Sequence, residues 1–150
     1  MDSGGREIDS ILVRYDINDP TGDSVYSYFR SKGLSDEQIT EKLNKRILWT
    51  PNEENLITIK FPFYYGLSVR PSYNIDDLPN LISLMGGIYT LYHEPLRGLT
   101  RVKQEDKDKL GENPTYYDLA KFTIGTKIAG FTKQYHPLDQ SDKYELRLYR

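Results

Sequence analysis

The apolar period of this chain switches repeatedly between two and about four, and not in the regular strand–helix–strand alternation that builds a doubly wound sheet. Ile11, Val13, Tyr15 and Ile17 recur at every second position, which predicts a first strand with one better-buried face. A dense turn cluster, Asn18–Asp23, leads to a short helix over 24–32, with Val25, Tyr28 and Phe29 on one side and Gly33 ending it. Ser35-Asp-Glu-Gln38 has the form of a capping box. Ile39, Leu43 and Ile47 follow at spacing four and predict a helix over 36–48. Leu56–Tyr65 then returns to period two, with Ile57, Ile59, Phe61 and Phe63 sharing a side. Pro62 has no amide hydrogen for a ladder, so this strand is expected at a sheet edge or at a bulge.

Leu67–Val69 reads as a further short strand. Leu78, Leu81, Ile82 and Met85 fit a helix capped by Asn74 or Asp76 and stopped by Gly86-Gly87, after which Ile88–Tyr92 reads as strand. Residues 103–114 are charged and turn-rich and are expected to be a loop. Thr115-Tyr-Tyr-Asp118 is another capping box, opening a short helix. Phe122–Tyr135 reads as strand interrupted by Gly125 and Gly130, and Tyr144, Leu146 and Leu148 alternate in a last one. The sum predicts an α+β fold: a single domain over 8–150 behind a flexible tail at 1–7. It holds a mostly antiparallel sheet of about five or six strands with two or three short helices.

A chain of 150 residues can bury about 70% of its unfolded surface and needs no metal or disulfide to hold a core. There is no cysteine, which removes disulfides, thiolate metal sites, iron–sulfur clusters and a Cys nucleophile, and suits a reducing, cytoplasmic compartment. The opening MDSGGREIDS has neither a basic region nor an apolar run, so no signal peptide is expected. Net charge is −2, with 20 basic and 22 acidic residues spread over both halves, so the sequence has no strong nucleic-acid signal. The longest stretch without Asp, Glu, Lys or Arg is Leu78–His93, too short and too polar to be a transmembrane segment. Thirteen of the nineteen aromatic residues are Tyr, a residue that suits strands, half-wet cores and interfaces.

His93-Glu94 begins like a zinc-protease helix, but the residue four on is Arg97 and Pro95 would spoil the helix. The pair has the chemistry of a general acid and base, yet neighbours on a strand point to opposite faces. His93, Glu94, His136 and Asp139 have the types of a His₂–carboxylate metal site, but nothing in their spacing joins them. The glycines at 125 and 130 have phosphate-loop spacing, but Phe131, ahead of Thr132, stands where Lys is required. No catalytic residue, metal or cofactor is therefore assigned.

The expected binding residues are Tyr89, Tyr92, Arg97, Arg101 and Lys103. The last three form a basic cluster with no acid between Glu94 and Glu105, suited to an acidic peptide, a phosphate or an anionic membrane surface. With an edge strand open for pairing, the reading is a non-enzymatic binding or assembly protein with a protein partner, self-association, or both. The alternatives are a small metal-independent enzyme using His93 or His136 as acid or base, and a cellular adaptor domain.

Residues 56–92 run strand, then VRPSYNIDDLPNLISLMGGIYTLY, then back to strand. The segment resembles the middle of rhabdovirus matrix proteins in Arg70-Pro71 at a strand end, Asp76-Asp77 before an amphipathic helix with Leu78, Ile82 and Ser83, and Ile88-Tyr89 at its exit. The resemblance covers about a quarter of the chain. It implies a viral structural protein of the virion that self-associates, contacts a nucleocapsid and the inner membrane surface, and has no enzymatic activity. The chain departs from such proteins in lacking a basic N-terminal arm and a Pro-Pro-x-Tyr motif.

Overall fold

The computed structural model describes residues 11–19, 22–64, 66–136 and 141–149. Among them lie six strands, β1 Ile11–Asp16, β2 Leu56–Tyr64, β3 Leu67–Val69, β4 Ser72–Asn74, β5 Lys127–His136 and β6 Ser141–Tyr149. Five α-helices accompany them: α1 Asp23–Ser31, α2 Asp36–Asn44, α3 Leu81–Tyr92, α4 Gln104–Leu110 and α5 Tyr116–Phe122. The fold is α+β, one domain on one six-stranded sheet in the order β1-β5-β6-β2-β3, with β4 also on β2. Every pairing is antiparallel except β2 with β6.

Phe61 pairs with Val69 and Thr58 with Ser72 in one continuous register, so β3 and β4 are a single strand interrupted at Arg70-Pro71. That strand covers one side of β2 while β6 covers the other. Around Thr58 to Lys60 β2 is therefore flanked on both sides and is not an edge strand there. The expectation of an edge or a bulge at Pro62 holds: the β2–β3 register shifts between Pro62 and Tyr64, and the ladder to β6 stops at Lys60. A proline without an N–H leaves the ladder at the point where it cannot donate.

Burial alternates along β2, and Ile57, Ile59, Phe61 and Phe63 are all buried. That face meets α3 and α5: the Phe63 ring lies 4.8 Å from Tyr92 and 4.6 Å from Tyr116. Much of the ring content thus fills the core, with pairs of tilted rings that add to plain area burial. The Ser35 capping box forms, and α2 ends at Asn44, earlier than its period suggests. Ile47 has left the helix and its amide donates to the Pro79 carbonyl.

Three other expectations are corrected. Asn74 caps only a 3₁₀ turn at Ile75–Asp77; α3 opens later, at a capping box between Asn80 and Ser83, so Pro79 lies outside it. Gly86-Gly87 does not stop that helix, and Ile88–Tyr92 is its second half, not a strand. Leu81, Leu84, Ile88, Leu91 and Tyr92 are buried along one helical face, and this burial outweighs the cost of about 1 kcal/mol that each glycine imposes. Finally, the charged segment 103–114 contains α4, anchored by buried Leu110 and by the Tyr64 hydroxyl, which donates to the Asp106 carboxylate. Among the described residues, no helix is long and apolar enough to cross a membrane.

Candidate contact surface

A helix lying on a protein surface normally carries charge on its outer face. α3 has none: LISLMGGIYTLY contains no Asp, Glu, Lys or Arg. Its inner face is buried, yet Ile82 and Tyr89 are each about half exposed, at 50% and 49%. Met85 and Gly86 lie between them at helical spacing. The outcome is an apolar stripe without charge on a helix that faces water.

Beside this stripe the turn from β1 into α1 and the far end of α2 leave a groove of about 440 Å³. Buried Ile17, Val25 and Leu43 line it together with Ile82 and Met85 of α3 and Tyr26 of α1. Asp19 is the one charged side chain among its described lining residues. Its carboxylate accepts from the Ser24 amide at 2.6 Å, which fixes its place at the opening of α1. Tyr15 also lines the groove, with a buried hydroxyl that has no hydrogen-bond partner among the described residues. Burial first, and the neighbouring Tyr92 second, push that hydroxyl well above the ordinary tyrosine range.

The expected binding residues do not form one patch. Tyr92 is fully buried against Phe61 and Phe63 and is removed from the surface set. It stands on the inner face of α3, three residues from Tyr89 on the outer stripe. Arg101 and Lys103 line a separate recess of about 400 Å³ with Tyr64 and Leu67. Arg97 is exposed near them in sequence, while Tyr89 belongs to the groove beside α3.

His93 and Glu94 diverge. The His93 ring stacks between Tyr89 and Tyr117, with centroids 4.1 and 5.3 Å away, and its Nδ1 lies 2.8 Å from the Tyr89 carbonyl oxygen. Glu94 acts elsewhere: after burial, its charge is the second cause raising the Tyr73 hydroxyl on β4. The histidine closes the last turn of α3 and continues its stripe of rings. The side chain of His136, and Asp139 with it, lie outside the described residues. Among the described residues no three His, Asp or Glu side chains gather as a metal site.

Sequence reasoning missed Ile82, Met85 and the groove behind them. The signal was present in the uncharged run Leu78–His93, which is explained by a helix with an open outer face as well as a buried inner one. Compared with known proteins, the chain matches no family model, no curated protein and no solved structure.

Proposed function

We propose that this chain is a non-enzymatic assembly protein that self-associates, and that the outer face of α3 with its adjoining groove is the surface it uses. The observation that carries this reading is the charge-free helix with Ile82 and Tyr89 half exposed beside an apolar groove. A stripe of this kind loses contact with water when another chain covers it, at roughly 25 cal/mol for each Å² of apolar surface removed. The resemblance of residues 56–92 to rhabdovirus matrix proteins supports the same class, although Ile88-Tyr89 lies inside α3 and not at its exit. An acid–base role for His93 draws no support from its setting, since its ring is held by two tyrosines and a backbone carbonyl.

The test is mass in solution by light scattering over a concentration series, for wild type and for a Tyr89→Asp variant. Growth of the wild-type mass with concentration, lost in the variant, is the expected outcome. A wild type that stays monomeric at every concentration would sink self-association.

A further inference from the structure

The turn between α3 and α4 is exposed and basic, whereas the groove is apolar with an acidic lining residue. Leu96 and Val102 are buried, and the five residues between them, Arg97 to Arg101, are all exposed. Leu99 stands in the middle of this projection at 37% exposure, with an arginine two residues away on either side. The projection is fixed in shape. Gly98 takes the left-handed conformation that lets the chain reverse, at φ 78°, and a Cβ there would lie 3.6 Å from the Leu67 side chain of β3. The amides of Arg101 and Val102 donate back to Gly98 and Leu99, and the Leu96 amide donates to Pro114. Such a rigid turn loses little entropy on docking.

The groove is the opposite in both respects. It is concave and apolar, and its charged lining residue is Asp19, with Asp16 and Asp23 in the same turn. Neither Arg97 nor Arg101 forms an ion pair among the described residues. The groove is lined from β1, α1, α2 and α3, while the projection adjoins Leu67 of β3 and contributes no residue to the groove. The projection and the groove of one molecule are therefore distinct surfaces.

We infer that the groove beside α3 receives the Arg97–Arg101 turn of a second copy of this chain, Leu99 meeting its apolar lining and the arginines facing Asp19 and its turn. The inference rests on the self-association proposed above and gives it a geometry. The contact is heterologous: every copy offers one projection and one groove, so association continues head to tail until a ring closes or a filament grows. The flanking charges steer the approach and make the association weaken with salt.

Two exposed substitutions separate the halves of the contact. Ile82→Glu places a carboxylate in the groove, and Leu99→Glu places one on the projection, in each case at a surface position where the fold should persist, as circular dichroism would verify. Each variant alone should associate at least about tenfold more weakly than wild type, because a charge would enter an apolar seat. Mixed at equal concentrations, the two variants should form a dimer and stop there, because one intact groove meets one intact projection. If wild type associates but both variants associate equally well, self-association stands and this contact falls. If the mixture fails to dimerise although each variant alone is impaired, the contact is not head to tail and the inference is overturned. If wild type remains monomeric while its groove takes up the dye anilinonaphthalene sulfonate and Ile82→Glu does not, the occupant is foreign, and both the contact and self-association fall.

Discussion

Two hydroxyl groups, on Tyr15 and Tyr92, are buried with no hydrogen-bond partner among the described residues, and each is held above the ordinary tyrosine range by burial. A buried hydroxyl without a partner costs roughly 1–3 kcal/mol, so Tyr15→Phe and Tyr92→Phe should each leave stability unchanged or raise it by up to that amount in urea denaturation. The same residues set a pH limit. In the unfolded chain a tyrosine ionises near pH 10, while in the fold both stay protonated to higher pH. Above pH 10 the unfolded state therefore binds fewer protons than the native state, and stability falls by about 1.4 kcal/mol per pH unit for each residue. Denaturation curves at pH 9 and pH 11 should show this loss, and the double Phe variant should lose that part of it. The sequence showed a Tyr-rich chain but could not separate Tyr89 from Tyr92. Three residues apart on a helix, one faces water and one the core, and that division depends on where the helix ends.

At the level of elements, what was legible was local. The capping boxes at Ser35 and Thr115 form as read, since a side chain satisfying an amide three residues on needs no tertiary partner. The end of α3 was not legible, because a glycine pair is a stop signal that burial of Leu84, Ile88 and Leu91 overrides. Gly86 remains a weak point of the helix. It is exposed, and a Cβ there would meet nothing within 4 Å. Gly86→Ala should stabilise the fold by about 0.5–1 kcal/mol, read as a rise in thermal midpoint. Gly87 differs, because a Cβ there would lie 3.4 Å from the Leu78 side chain, so Gly87→Ala should gain less. Removing the α3 cap with Asn80→Ala should cost about 1 kcal/mol, since Ser83 would lose its partner at the helix entry. α4 was hidden because its charged sequence has no periodic apolar face, and what holds it is Leu110 and the bond from Tyr64 to Asp106.

For the whole molecule, the α+β class followed from the irregular order of periods, but the sheet order did not. β2 pairs in parallel with β6 across more than eighty residues of sequence, and β1 pairs with β5 across more than a hundred. No local pattern encodes such partners. This is also why the groove escaped notice: it is assembled from β1, α1, α2 and α3. Only the missing charge on α3 was visible beforehand. The self-association proposed for that face makes a spatial demand on the molecule. Backbone amide spectra recorded while a labelled sample is diluted from high to low concentration test it most directly. Shifts confined to residues 82–90, the turn from β1 into α1, and 97–101 are the outcome expected here. A spectrum unchanged on dilution, or shifts confined to other surfaces, would contradict it.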